Sequence, residues 1–110
     1  MMEYQLNAVY DEQQAVWQVR PEGEVDIFNS AAFRNALIAL GTIKPADIVI
    51  NCEALKYIDS TGLGALVEVL KSVKADGSNI TLHKLRPHLA KLFKITNLDK
   101  TFIIGGDAHE

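Results

Sequence analysis

Tyr57-Ile58-Asp59-Ser60-Thr61-Gly62-Leu63-Gly64 is the stretch on which the reading of this 110-residue chain turns. Behind it lies Asp47-Ile48-Val49-Ile50-Asn51, an apolar run bounded by polar residues, too short for a helix and suited to a central strand covered on both faces. Ahead of it Leu63, Leu66, Val67, Leu70 and Val73 recur at helical spacing until Asp76-Gly77 closes the run. Two glycines and three small polar residues thus stand where a strand hands over to an amphipathic helix. The unpaired amides and the positive dipole end there favour an acceptor or an anion. The plainest reading is a cap, in which Asp59 or Ser60 accepts from first-turn amides and Gly62 permits a tight approach.

Working outward, Tyr4, Leu6, Ala8 and Tyr10 alternate with Gln5, Asn7 and Val9, and Ala15, Trp17 and Val19 alternate with Val16, Gln18 and Arg20. Two half-buried strands joined by the polar turn Asp11-Glu12-Gln13-Gln14 make a hairpin, with Pro21 and Gly23 at its far end. Asn29 or Ser30 is placed to cap a helix carrying Ala32, Phe33, Ala36, Leu37 and Leu40, with Gly41 as its stop. On the other side, Asn79 to His83 reads as a strand. Pro87 suits the first turn of a third helix bearing Leu89, Leu92, Phe93 and Ile95. Phe102-Ile103-Ile104 reads as a last strand, and residues 105–110 as a frayed tail. The order β, β, α, β, α, β, α, β alternates in its later part, which calls for right-handed crossovers. The predicted fold is therefore α/β with a mixed sheet of about five strands.

The composition bounds the function. A chain of this length, 48% apolar and 23% charged, forms one domain, 1–110, with no sequence to spare for a second. Eleven basic against fourteen acidic residues argue against a protein built for the nucleic-acid backbone. Residues 1–55 hold eight acids and three bases, whereas residues 56–110 hold eight bases and six acids, so the N-terminal half is the acidic one. Lys84, Arg86, Lys91 and Lys94 read as a solvated face rather than a nucleic-acid contact. Cys52 stands alone, and no leader or bilayer-length apolar run is visible, which points to a reducing cytoplasm and no membrane insertion.

Enzymatic readings of the central motif fail on spacing. An aspartic-protease loop needs Asp-Thr-Gly or Asp-Ser-Gly and a second carboxylate, but Thr61 intervenes between Ser60 and Gly62 and the loop occurs once. Ser60 lacks a Gly-x-Ser-x-Gly elbow, and His83, His88 and His109 carry no local signature of a base. A phosphate-binding Gly-x-x-x-x-Gly-Lys loop is absent. The spacing of His83 and His88 fits no zinc site, so no catalytic residue, metal or cofactor is expected.

Ile58-Asp59-Ser60-Thr61-Gly62-Leu63-Gly64, preceded by Ile48-Val49-Ile50-Asn51, closely resembles the signature of bacterial anti-sigma factor antagonists, which are small single-domain STAS proteins. Gly23-Glu24-Val25-Asp26 is similar to that family's turn after the second strand, and Leu92-Phe93-Lys94-Ile95-Thr96-Asn97-Leu98 to its third-helix segment. The resemblance spans about residues 4–104 and implies a STAS-like fold with helices mainly on one side of the sheet. It further implies a partner switch. The unphosphorylated protein would bind an anti-sigma factor that is a serine/threonine kinase and so release the sigma factor. Phosphorylation at Ser60, with Thr61 the secondary candidate, would end binding, and a PP2C-type phosphatase would reset it. Glu24, Asp26, Asp59, Ser60, Thr61 and Gly62 are the expected partner-binding residues, with Asp59 holding the Ser60 hydroxyl. Asp26 is equally readable as a turn residue bonding backbone amides. The alternative function is a constitutive STAS scaffold or an accessory subunit of a transport or signalling assembly.

Overall fold

The structure, a computed structural model, describes residues 4–105. Strand β1 (Ala8–Asp11) and strand β2 (Val16–Val19) form the expected hairpin, antiparallel with Tyr10 opposite Trp17. Asp11 Oδ1 accepts from the amides of Gln13 and Gln14 and so builds the turn. β1 begins later than the alternation predicts because Asn7 has a left-handed backbone, φ 54°. The chain then gives β3 (Gly23–Val25), α1 (Ser30–Ile43), β4 (Asp47–Asn51), β5 (Leu55–Ile58), α2 (Ser60–Ala75), β6 (Ile80–His83), α3 (Pro87–Ile95) and β7 (Ile103–Ile104). A single 3-10 turn, Leu98–Lys100, precedes β7.

The main sheet has five strands in the order β1-β2-β4-β6-β7, parallel except for the opening hairpin. Register places Trp17, Ile48 and Ile80 in one row and Val19, Ile50 and Leu82 in the next. All six side chains are buried, and they meet Phe33 and Leu37 of α1, Leu66, Val69 and Leu70 of α2, and Leu89 and Phe93 of α3 in one core. Residues on the opposite face, Gln18, Val49 and Thr81, are only half-buried. Strand β4 is therefore covered on one face, not two, because the helices gather on one side. Trp17 belongs to the core, and its indole N–H donates to the Lys44 carbonyl at the end of α1.

Other expectations change. Strands β3 and β5 were absent from the predicted order; they pair in parallel as a two-stranded ribbon outside the main sheet. Gly41 does not end α1. The helix runs on to Ile43, the Lys44 amide still bonds to the Leu40 carbonyl, and Pro45 two residues after Ile43 accounts for the stop. Ile95 is exposed rather than core. Gly105, read as the start of a frayed tail, donates its amide to the Leu82 carbonyl at 2.8 Å; the rest of that tail, 106–110, lies outside the described residues.

Candidate functional site

The ribbon exists to bring two loops together. Val25 pairs with Ile58 at its end, and the Asp59 amide donates to the Val25 carbonyl at 3.1 Å. The segment that follows β3 and the first turn of α2 consequently emerge side by side. Glu24 lies beside Tyr57 one step back along the ribbon. The two acidic stretches, Glu24-Val25-Asp26 and Asp59-Ser60, share this end of the molecule.

Asp59 is the N-cap of α2, with extended backbone. Its Oδ1 accepts from the amides of Thr61 (2.9 Å) and Gly62 (3.1 Å) and from the Thr61 hydroxyl. These bonds, the Thr61 hydroxyl foremost, hold the carboxyl below the usual carboxylate range against a smaller opposing effect of desolvation; the Ile27 amide adds to them from the neighbouring loop. The cap expected from the sequence is there, and Asp59 alone makes it. Its carboxylate grips Thr61, not Ser60 as expected. Thr61 is the residue whose hydroxyl lies two positions beyond the cap, where the amides of the first turn also converge.

Ser60, the first helical residue, is exposed, and no hydrogen bond within the described residues engages its side chain. Thr61 is half-buried and spoken for. Gly62 is buried. A Cβ there would lie 2.5 Å from Ile58 Cγ1 and 2.9 Å from Val25 Cγ1, so its absence lets the helix start close over the ribbon. Gly62, named among the expected partner-binding residues, thus acts by positioning the turn, and its own surface is hidden.

The loop before α1 is cross-bonded internally. The Asp26 amide donates to Asn29 Oδ1 (2.8 Å), Asp26 Oδ1 accepts from the Phe28 amide (3.0 Å), and Asn29 Nδ2 donates to the Glu24 carbonyl (2.9 Å). The Asp26 carbonyl also receives the amides of Asn29 and Ser30. Of the two readings of Asp26, the turn residue is what the geometry displays, while Asn29 spends its side chain on the loop and not on the first turn of α1. The loop displays Ile27 and Phe28, which are 68% and 81% exposed, and Tyr57, on the ribbon strand beside Glu24, is half-exposed. Sequence reasoning missed these three. The available signal was an apolar pair inside a polar turn, out of phase with either neighbouring helix or strand. Between α1 and α2 an open groove of about 510 Å³ begins at Ser30 and Thr61, passes Gly64, and is bridged by Arg34 and Glu68 at 3.2 Å.

Chemically, this end offers an unbonded hydroxyl at a helix N-terminus, acidic neighbours and an apolar rim. His88 is engaged elsewhere, its Nε2 2.9 Å from the Lys56 carbonyl, and the described residues hold no cluster of metal-ligating side chains. Cys52 is buried, and burial pushes its thiol up to about 12, which leaves it unreactive. No helix among the described residues is long and apolar enough to cross a membrane.

Comparison with known proteins agrees with this architecture. A family model described as STAS domain matches residues 7–110. An anti-sigma-B factor antagonist of Bacillus subtilis is 38% identical over 81 residues, covering 74% of this chain and 73% of its own. Among solved structures, an anti-sigma factor antagonist from Mycobacterium paratuberculosis is similar at TM-score 0.72 and 25% identity, over 93% of this chain and 86% of that one. The Bacillus cell fate determinant SpoIIAA in its phosphorylated form shares the fold, with TM-score 0.66 at 23% identity, over 94% and 92% of the two chains.

Proposed function

The chain belongs to the STAS-domain family, and on that premise we propose that it is an anti-sigma factor antagonist switched by phosphorylation of Ser60. Unphosphorylated, it captures an anti-sigma factor serine/threonine kinase in the cytoplasm and frees the sigma factor. The kinase then modifies Ser60 and the complex parts, and a PP2C-type phosphatase restores the binding form. The protein itself performs no catalysis. Ile27, Phe28, Tyr57 and the groove edge supply contact area, and Glu24, Asp26 and Asp59 supply charge.

The observation that carries this reading is the contrast between Ser60 and Thr61. Ser60 is exposed with an uncommitted hydroxyl, whereas the Thr61 hydroxyl is held by Asp59. A kinase reaches the first without breaking the cap. The phosphate adds about 1.5 to 2 negative charges in a position where helix amides and dipole tolerate it, so the fold survives. Those charges arrive beside Asp59 and the Glu24-Val25-Asp26 loop, so the cost falls on the docked partner. About 2.8 kcal/mol there weakens the complex a hundredfold.

The test is to incubate the protein with its anti-sigma kinase and ATP, map the phosphate by mass spectrometry, and measure binding of Ser60 variants by calorimetry. Phosphate is expected on Ser60 and on no site in Ser60→Ala. Ser60→Asp should bind about a hundredfold more weakly. Phosphate on Thr61 alone would overturn the switch, and undiminished binding by Ser60→Asp would favour the constitutive scaffold.

A further inference from the structure

C-terminal to the Ser60 motif, α3, the 3-10 turn and β7 border a cleft of about 260 Å³. Among the described residues, Leu85, Ala90, Phe93 and Ile104 make its walls apolar, and Lys94 and Asp99 are its polar lining. Asp99 Oδ1 is shielded from solvent and receives no hydrogen bond within the described residues. Such a group costs free energy until a donor reaches it. Lys94 and Asp99 form no ion pair with each other or with any other described residue. The cleft therefore combines apolar walls with a carboxylate whose Oδ1 lacks a donor and a lysine, neither of them in an ion pair among the described residues.

We propose that this cleft binds a free α-amino acid with an apolar side chain. The ammonium group would donate to the Asp99 carboxylate, whose broad χ2 preference lets it turn toward the cavity. The ligand carboxylate would meet Lys94, a mobile cation on a four-carbon stem. The side chain would fill the space between Leu85, Ala90, Phe93 and Ile104. This assignment uses every described lining residue. An alkylamine would leave Lys94 opposed by a like charge, and a fatty acid would set its carboxylate against Asp99. The volume is below that of a drug-sized pocket and suits a small metabolite bound weakly. The site is independent of the Ser60 reading.

The experiment is an amide NMR titration of the full chain with L-leucine, N-acetyl-L-leucine, L-leucinamide and glycine. Leucine should produce saturable shifts at the amides of Leu85, Ala90, Phe93 and Ile104, with a Kd of about 1 mM. N-acetyl-L-leucine lacks the ammonium and L-leucinamide the carboxylate, so each should bind about tenfold more weakly, and glycine should leave these amides unmoved. Asp99→Asn and Lys94→Gln should each weaken leucine binding about tenfold, with the rest of the spectrum unchanged as proof of folding. Ala90→Leu should fill the cleft and abolish the shifts. The proposal is overturned if leucine gives no saturable shift, or if glycine or N-acetyl-L-leucine moves the same amides as strongly.

Discussion

The first turn of α2 has two sides that obey different rules. On its inner side Asp59 gathers the Thr61 and Gly62 amides and the Thr61 hydroxyl, and Gly62 lies against Val25 and Ile58 with no room for a methyl group. On its outer side the Ser60 side chain makes no hydrogen bond within the described residues, and a Cβ placed on Gly64 would meet nothing within 4 Å. Fold chemistry accounts for the identity of each inner residue and for neither outer one. An unbonded hydroxyl and a glycine in an exposed helix contribute little to stability, and the glycine detracts from it. The contact with a partner proposed above would account for both.

The harshest way to break this contrast is Gly62→Ala. The new methyl carbon would stand 2.5 Å from Ile58 Cγ1 and 2.9 Å from Val25 Cγ1, and both neighbours are buried in the core. Helix propensity favours alanine, but overpacking of this kind costs about 2–3 kcal/mol, which outweighs it. Urea unfolding should show a lower midpoint with an unchanged slope. A variant as stable as the parent would mean that the inner side has slack and that the contrast is false.

The same two sides explain what could be read without coordinates. Helix α2, strands β2, β4 and β6 and the cap at Asp59 were legible because each carries a repeated or spaced signal: 3.6-residue periodicity, alternation, or a short acceptor before an apolar run. β3 and β5 were not. β3 has three residues, and β5, Leu-Lys-Tyr-Ile, is buried at both ends and exposed between, so neither shows alternation; they pair with each other across the intervening α1 and β4. Without that pairing, the proximity of Glu24 and Asp26 to Asp59 rested on family resemblance alone. Ile27 and Phe28 escaped for a related reason, since an exposed apolar pair has meaning only once a neighbouring surface is known. Asp59's choice of Thr61 over Ser60 follows the geometry of an N-cap, whose side chain faces the second and third helical residues.

Asp59→Ala sharpens the comparison by loosening the inner side without a clash. It leaves the amides of Thr61 and Gly62 and the Thr61 hydroxyl without their acceptor, and a drop of about 5 °C in Tm is expected for a lost cap. The carboxyl titrates below its ordinary range in the folded protein, so its contribution is fully present above the unfolded carboxylate pKa, near 3.8, and fades as pH falls through the lower folded value. The stability gap between the parent and Asp59→Asn should thus be constant at neutral pH and close in acid. A gap that widens below pH ~4 would reverse the sign and place the protonated form in the cap.

Gly64→Ala asks the opposite question of the outer side. With nothing near the added carbon, relief of backbone entropy should stabilise the protein by about 0.5–1 kcal/mol. Binding to the anti-sigma partner is expected to weaken at the same time, because the groove floor beside Ser30 and Thr61 rises by a methyl group. Stability and affinity moving in opposite directions would locate the need for this glycine in the complex. If both rose together, Gly64 would be removed from the interface.

Ser60→Ala should have the smallest effect on the fold, because the hydroxyl has no bond to lose and the residue is exposed. Its urea midpoint should correspond to a change within about 0.5 kcal/mol of the parent. Thr61→Ala is the matched control on the inner side and should cost more, since it strips the Asp59 carboxylate of one of its donors. The pair separates two explanations of the neighbouring hydroxyls that phosphate mapping alone does not. If Ser60→Ala were the more damaging change, the Ser60 hydroxyl would belong to the cap, and a kinase would have to dismantle the helix start to reach it. If Thr61→Ala is the costlier change, as the geometry requires, the two adjacent hydroxyls have divided the labour, one holding the turn and the other left free for modification.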